Sequence, residues 1–159
     1  MNQLIETEWA YIAGFLDGDG SIMTEIVTRK DYRLKYEIRY IVTFTQKTSR
    51  NYSLIQLRDE LRIGNFRNRG DGCSELAIVG WQSVKPLLEK LEPYLKIKKK
   101  QANLILQIIE KKPLVGNSPL RFLESCELCD KIALLNDSRT RTITSTVVRE
   151  KFLELKFLE

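Results

Sequence analysis

An alternating segment at residues 34–46 places the tightest constraint on what this chain can fold into. Its apolar residues fall on one side of an extended chain: Tyr36, Ile38, Tyr40, Val42 and Phe44. Its polar residues fall on the other side, with Ile41 as an exception: Lys35, Glu37, Arg39, Thr43 and Thr45. Such alternation is typical of an antiparallel strand with one buried and one wet face. The segment therefore predicts a strand whose polar face is open to solvent.

The remaining patterns predict a strand that pairs with residues 34–46 in a hairpin, a second hairpin and several helices. The predicted helices cover residues 5–17, 51–61, 82–92, 97–111, 119–135 and 145–157. The predicted strands cover residues 21–30, 34–46, 64–69 and 74–80, with turns around Lys30 and at Gly70-Asp71-Gly72. We expect Gly18 and Gly20 to end the first helix and Pro93, Pro113 and Pro119 to lie at helix edges.

This order of elements predicts an α+β fold. Helix, hairpin, helix, hairpin and helix are followed by a helical C-terminal tail, which gives four antiparallel strands with helices on one face. We expect residues 1–159 to form a single domain, with the polar and basic face of the sheet left open. Residues 29–50 contain seven basic and two acidic side chains, and the net charge of the chain is +5. A basic surface of this kind favours nucleic acid as a partner, although solvated surfaces are an equal alternative.

The absence of histidine limits the chemistry that the chain can perform. A chain without histidine cannot be a Ser-His-Asp hydrolase, a Cys-His protease or a histidine-dependent nuclease. Carboxylates, lysine, arginine or a metal ion must therefore carry any catalysis. Cys126 and Cys129 have a metal-like spacing, but two thiols cannot complete a zinc site and we expect them to pack in a core. Residues 1–8 contain no basic side chain, and no apolar run approaches the roughly 20 residues of a membrane span, which predicts neither a targeting peptide nor a membrane partner.

The segment from Tyr11 to Ser21 concentrates glycine and aspartate at one helix end. Gly14 and Gly18 are four residues apart, a spacing that lets two helix backbones approach, or that merely caps or bends one helix. Asp17 and Asp19 lie at the helix C-terminus, where negative charge is disfavoured unless something compensates it. A hard cation such as Mg²⁺ would do so. A calcium loop of the EF-hand type is excluded because its glycine falls at the wrong position.

The run from Ile12 to Gly20 resembles the motif that names the LAGLIDADG homing endonucleases, in the variant of the single-motif, homodimeric members of algal organelles. The similarity continues through Thr45–Thr48, through 93–104 and through Leu135–Arg141. It implies a fold of order αββαββα, with a saddle-shaped four-stranded sheet and a helical tail. It also implies an enzyme encoded in a chloroplast or another organelle.

The resemblance implies roles for individual residues. Asp19 would be the metal-binding carboxylate, one from each subunit, and the Gly18 carbonyl would also touch metal. Gln46 would position water, while Arg50 and Lys98 would neutralise charge at the scissile phosphate. Ala13 and Gly14 would pack between the two subunit helices.

The wet sheet face would then read DNA in the major groove. The candidates on the sheet and its turns are Glu25, Val27, Arg29, Tyr32, Glu37, Arg39, Thr43, Thr45, Asn65, Arg67, Arg69, Glu75 and Ala77. A loop resembles the segment that grips the DNA backbone, and its candidates are Asn136, Asp137, Ser138, Arg139, Arg141 and Thr142.

The resulting expectation is a Mg²⁺-dependent, site-specific double-strand DNA endonuclease that promotes intron mobility. Mn²⁺ is expected to substitute for Mg²⁺ and Ca²⁺ to bind without turnover. The partners are double-stranded DNA and a second copy of the chain, with no small-molecule substrate. Two alternatives are an intron RNA maturase, or nucleic-acid-binding module without cleavage, and a basic domain that binds protein. The latter explains the charge but not the motif.

Overall fold

The computed structural model describes residues 3–137 and 140–159 and has an α+β architecture. The α-helices of the described residues are α1 (Glu6–Asp19), α2 (Tyr52–Leu61), α3 (Trp81–Leu91), α4 (Lys99–Val115), α5 (Pro119–Leu135) and α6 (Ser145–Glu154). The strands are β1 (Gly20–Thr28), β2 (Tyr36–Lys47), β3 (Asn65–Asn68) and β4 (Cys73–Val79). They form a four-stranded sheet in the order β1-β2-β4-β3. The predicted α+β class and the order of helices and hairpins are confirmed.

The residue contacts divide the chain into two compact units. The first comprises Met1–Ile22 and Ile41–Ala102, and the second comprises Met23–Tyr40 and Asn103–Glu159. Strand β2 contributes residues to both. No helix of the described residues is long and apolar enough to cross a lipid bilayer.

The first unit is built on antiparallel pairing of β2 with β4 and of β4 with β3. In this register Gln46 lies opposite Ser74, and Arg67 lies opposite Glu75. The alternation of β4 buries Leu76 and Ile78 completely. Burial of large aliphatic side chains against the helices of this unit supplies its main stabilisation.

The helix-to-strand junction of the first unit depends on the small size of Gly20. A Cβ atom there would lie 2.7 Å from the Thr43 carbonyl oxygen and 2.9 Å from that of Leu16, closer than real Cβ contacts allow. Helix α1 runs through Gly18 and ends at Asp19, and β1 starts at the next residue, Gly20. The prediction that Gly18 helps to end the helix at residue 17 is wrong.

The second unit is held by an aromatic cluster around Phe152 of α6. Its ring centroid lies 6.2 Å from that of Tyr36, 6.0 Å from that of Phe122 and 5.6 Å from that of Phe157. Cys126 and Cys129 are buried on α5, which confirms that they are core residues.

Helix α4 extends two residues beyond Pro113, so the prediction that this proline marks a helix edge is wrong. Proline removes one backbone hydrogen bond. The last turn is nevertheless completed from outside, because Arg121 Nη1 donates to the Leu114 carbonyl at 2.7 Å and the Ser118 N–H donates to the Val115 carbonyl at 2.7 Å.

Candidate active site and nucleic-acid interface

Asp17 and Asp19 lie in the last turn of α1 but have different environments. The Asp17 carboxylate accepts the backbone N–H of Lys96 at 2.8 Å and that of Lys98 at 2.9 Å. Lys98 Nζ donates to the Asp17 carbonyl at 2.5 Å. These donors offset the unfavourable charge at the helix C-terminus. Asp17 therefore anchors the segment before α4, and Asp19 is left at the surface.

The exposed Asp19 carboxylate starts a short chain of polar side chains. Gln46 Nε2 donates to Asp19 Oδ2 at 3.2 Å, and Arg50 Nε donates to Gln46 Oε1 at 3.1 Å. The Lys47 N–H also donates to Gln46 Oε1, at 3.2 Å. Because the amide oxygen faces two donors and the amide nitrogen faces a carboxylate, the orientation of Gln46 is determined. The structure thus brings together three of the four predicted catalytic side chains.

The oxygen atoms at this helix end suit a hard cation. Carboxylate and carbonyl oxygens with water are the ligands that Mg²⁺ prefers, and Asp19 is exposed to receive it. The described residues contain no group of three or more His, Cys, Asp or Glu side chains that could hold a metal ion.

The outer face of α1 is open around its glycines. Gly14 and Gly18 are exposed, and beyond the adjoining helix backbone a Cβ atom added at either would meet nothing within 4 Å among the described residues. Tyr11, one turn before Gly14, is 72% exposed. A pocket of about 510 Å³ connects this face with Asp19, Gln46 and Arg50 and is also lined by Tyr52.

Ala13 is buried, contrary to its expected place between two subunit helices. Its exposure is 0%, because it lies on the inner side of α1 with Trp9, Ile12 and Leu16. Its side chain is therefore unavailable to a second copy, and only Gly14 of the two expected interface residues is exposed.

The first unit carries the reading candidates of β4, β3 and the end of β2. Asn65, Arg67 and Arg69 are exposed, and Thr45, Glu75 and Ala77 are half-buried. Arg67 Nη2 lies 2.8 Å from Glu75 Oε1, and Arg69 Nη2 lies 3.0 Å from Asp71 Oδ2. Arg67 and Arg69 are thus each paired with a carboxylate. A phosphate that binds either arginine would have to replace that carboxylate or share the arginine with it.

Thr43 is the exception among these candidates. It is 7% exposed, and its hydroxyl shares a hydrogen bond of 2.5 Å with the Ser21 hydroxyl. The expectation that Thr43 is open to solvent is therefore wrong, because Ser21 covers it.

The second unit carries the candidates of β1, the following turn and the start of β2. Glu25, Tyr32 and Arg39 are exposed, whereas Val27, Arg29 and Glu37 are half-buried. Arg29 Nη1 donates to Glu37 Oε2 at 2.7 Å, and the guanidinium lies 4.4 Å from the centroid of the Tyr32 ring. Hydrogen bonds from Arg29 lower the pKa of Asp31 below its usual value. These contacts hold Arg29 in place within the second unit.

The loop after α5 is only partly described. Asn136 is half-buried and Asp137 and Thr142 are exposed, while Ser138 and Arg139 lie outside the described residues. Arg141 Nη1 donates to Asp130 Oδ1 at 2.6 Å, and Arg141 Nη2 donates to the Ile143 carbonyl at 3.3 Å. The Ser145 hydroxyl donates to Asp130 Oδ2 at 2.5 Å. The Arg141 guanidinium is therefore engaged within the chain, where it supports the start of α6.

Comparison with known proteins identifies the family. The model of the LAGLIDADG endonuclease family matches residues 12–109, which include the part of α1 from Ile12 to Asp19, the sheet, Gln46, Arg50 and Lys98. The chain belongs to the LAGLIDADG endonuclease family.

Two similar members come from algae. DNA endonuclease I-CvuI of Chlorella vulgaris is 44% identical over 145 residues, which cover 91% of this chain and 89% of that protein. DNA endonuclease I-CreI of Chlamydomonas reinhardtii is 45% identical over 142 residues, which cover 87% of this chain and 85% of that protein.

Solved structures of the family agree with the fold. A crystal structure of I-CvuI in complex with its target, in the presence of Ca, superposes with a TM-score of 0.90 at 42% identity and covers 97% of this chain and 98% of that chain. The archaeal intron-encoded homing endonuclease I-Vdi141I, complexed with DNA, has a TM-score of 0.81 at 16% identity and covers 96% of this chain and 99% of that chain. At that identity the second likeness concerns the fold alone.

Two features of this LAGLIDADG endonuclease escape inspection of the sequence motif. One is the anchoring role of Asp17, which the motif presents on equal terms with Asp19. The other is Ser74, which lies in β4 on the same face as Leu76 and Ile78 and is completely buried. A polar residue at an apolar position of an alternating strand is the pattern that could have revealed Ser74.

Proposed function

We propose that this LAGLIDADG endonuclease acts as a homodimer that makes a double-strand break at a specific, long, pseudo-palindromic DNA site. The observation that carries the proposal is the hydrogen-bonded chain from exposed Asp19 through Gln46 to Arg50 at the end of α1. Asp19 offers a carboxylate to a cation, and the Gln46 amide and the Arg50 guanidinium offer hydrogen-bond donors to a phosphate. Hydrolysis of a phosphodiester needs both a bound cation and stabilisation of the charge that develops on the phosphate.

The cation proposed for this site is Mg²⁺, with Mn²⁺ as a substitute and Ca²⁺ as a ligand that does not support turnover. Asp19 and the Gly18 carbonyl would hold it, since both belong to the exposed end of α1. When bound, the cation activates water and stabilises charge on the attacking and leaving oxygens.

The remaining residues act by position and charge. Gln46 presents amide donors and an acceptor beside Asp19, so it can orient water towards a phosphate. Arg50 is exposed and permanently charged, and it can neutralise charge that develops on the phosphate oxygens. Lys98 is tied to the carbonyl of Asp17, two residues before Asp19, and would contribute a second positive charge at the same helix end.

A second copy of the chain would complete the site. Each copy brings one Asp19, and the exposed Gly14 and Gly18 allow two α1 helices to approach closely. Two carboxylates meeting at a symmetry axis would repel each other without cations, which couples metal binding to assembly. A twofold enzyme implies a pseudo-palindromic site, about 20 base pairs long if each half spans one helical turn.

The biological setting proposed for this activity is the homing of a mobile intron. The DNA endonucleases I-CvuI and I-CreI come from algae, and we place the present protein in a chloroplast or another organelle that encodes it. All 159 residues would form one subunit.

The test begins with selection of DNA sites from a randomised library in Ca²⁺, followed by incubation of plasmids carrying those sites with Mg²⁺. Wild type should linearise the plasmid, and EDTA should abolish cutting. Asp19→Asn should bind the same site in Ca²⁺ or without metal but should not cut it. Asp59→Asn, which alters an exposed carboxylate on α2, should cut like wild type.

Specific binding of duplex DNA by wild type, with no cutting in Mg²⁺ or Mn²⁺, would rule out the nuclease. Tighter binding of intron RNA than of DNA would then support a maturase.

A further inference from the structure

A completely buried hydroxyl lies beside the candidate active site. Ser74 is 0% exposed in β4, on the face that also buries Leu76 and Ile78. In the register of the sheet Ser74 lies directly opposite Gln46 of β2 and opposite Asn68 of β3. An alanine or valine would fill an apolar position of a strand without the cost of burying a hydroxyl. We therefore expect hydrogen bonds to the Ser74 hydroxyl to offset the cost of its burial.

The partners of Ser74 form a directed chain of hydrogen bonds. Ser74 Oγ donates to Asn68 Oδ1 at 2.7 Å and lies 3.0 Å from Thr48 Oγ1. A serine hydroxyl has one proton. Because Asn68 Oδ1 can only accept, that proton is used there, and the Thr48 hydroxyl is the donor to Ser74. The chain thus runs from Thr48 through Ser74 to Asn68, and we call it the hydroxyl relay.

The relay joins the second hairpin to the turn that carries Arg50. Thr48 is the first residue of the 3₁₀ turn Thr48–Arg50, and its N–H donates to the Gly72 carbonyl at 2.9 Å. Asn68 lies at the end of β3, one residue from Arg67 and Arg69. The same turn brings Arg50 Nε to 3.1 Å from Gln46 Oε1.

We propose that Ser74 and Thr48 are positioning residues that couple contact of the β3–β4 hairpin with DNA to the alignment of Gln46 and Arg50. This inference rests on the proposed function. A hairpin seated on its correct base pairs would hold the relay, and through it the turn, in the geometry that cleavage needs. A hairpin on incorrect base pairs would displace the turn, so a mismatch there would reduce cutting more than binding.

The sharpest variant is Thr48→Val, which keeps the shape of the side chain and removes the donor. Thr48→Ser keeps the hydroxyl and serves as the conservative rescue. Ser74→Ala removes the centre of the relay. Ser125→Ala is the matched control, since Ser125 is 2% exposed and its hydroxyl has no partner among the described residues.

The measurements use the full-length protein and a site selected in Ca²⁺. Single-turnover cutting in Mg²⁺ should be about tenfold slower for Thr48→Val and Ser74→Ala, the effect of one hydrogen bond made in the transition state. Affinity in Ca²⁺ should stay within about twofold. Thr48→Ser and Ser125→Ala should cut like wild type, and the double variant Thr48→Val/Ser74→Ala should be no slower than the slower single variant.

The inference is overturned if Thr48→Val cuts at the wild-type rate, if Thr48→Ser is as slow as Thr48→Val, or if affinity falls as much as the rate. These outcomes differ from failure of the proposed function, in which wild type itself cuts none of the sites that it binds. Should Ser74→Ala fail to fold, the comparison of Thr48→Val with Thr48→Ser still decides the question.

Discussion

Asp17 and Lys98 are joined twice: the Lys98 backbone N–H donates to Asp17 Oδ1 at 2.9 Å, and Lys98 Nζ donates to the Asp17 carbonyl at 2.5 Å. The lysine is thus located by α1, the helix that also carries Asp19. Asp19 and Lys98, which are 79 positions apart in the sequence, are therefore held in place by one residue, Asp17. Disturbing that anchor should affect both stability and chemistry.

Replacement of Asp17 by alanine should destabilise the protein by about 2 kcal/mol, because two backbone N–H groups lose a charged acceptor. Asp17→Asn keeps one acceptor oxygen and should cost about half as much. Urea unfolding at neutral pH measures the change. The control Asp59→Ala removes an exposed ion pair on α2 and should change stability by less than about 0.5 kcal/mol. Equal stabilities for Asp17→Ala and wild type would contradict the anchoring role.

Substitution of Gln46 by methionine should slow cutting by about a hundredfold, the scale of losing one preorganised donor near a reacting phosphate. Methionine keeps the length of the side chain but breaks the contacts with Asp19 and Arg50. Single-turnover cleavage in Mg²⁺ and filter binding in Ca²⁺ separate rate from affinity. A rate close to that of wild type would remove Gln46 from the catalytic group.

Gly14→Leu should separate the subunits without unfolding them. Within the chain a Cβ atom at this position meets open space, and leucine favours a helix more than glycine by nearly 1 kcal/mol. Sedimentation velocity should show a monomer with undiminished thermal stability of the isolated chain. Lys90→Leu, on the exposed side of α3, serves as the control and should remain dimeric. A Gly14→Leu protein that sediments as wild type would place the interface elsewhere.

The buried thiol of Cys129 should make stability fall in alkali. Burial raises its pKa from 9.0 to about 11, so above pH 9 the unfolded chain releases a proton that the folded chain retains. The contribution of this group is complete below pH 9 and decreases as the pH rises towards 11, with a slope of at most about 1.4 kcal/mol per pH unit. Urea unfolding between pH 8 and 10.5 measures the slope, which Cys129→Ala should make shallower. Identical slopes would refute this source of pH dependence.

Periodicity alone predicted much of the fold. The alternation of β2 and the glycine-rich turn at 70–72 located both hairpins within about two residues of the observed strands. The helical spacing of Trp9, Ile12 and Leu16 located α1. These patterns are local, and burial of one face is enough to specify them.

The remaining differences arise where a contact distant in sequence decides the outcome. Thr43 obeys the alternation of the wet face, but Ser21 covers it. Asp17 and Asp19 have the same chemistry in the motif, and only the approach of residues 96–98 separates their roles. Ala13 is the opposite case, since its helical phase already placed it with the core and the family resemblance misdirected the interpretation.

In the proposed enzyme two Asp19 carboxylates, one from each copy of the chain, together hold the cations over bound DNA. A crystal of the protein with its selected DNA site, soaked in Mn²⁺ and examined by anomalous scattering, tests it most directly. We expect manganese peaks within about 2.2 Å of both Asp19 carboxylates at the twofold axis, next to the phosphates that are cut. Peaks that contact neither carboxylate, or two α1 ends that lie far apart in a DNA-bound dimer, would contradict the account.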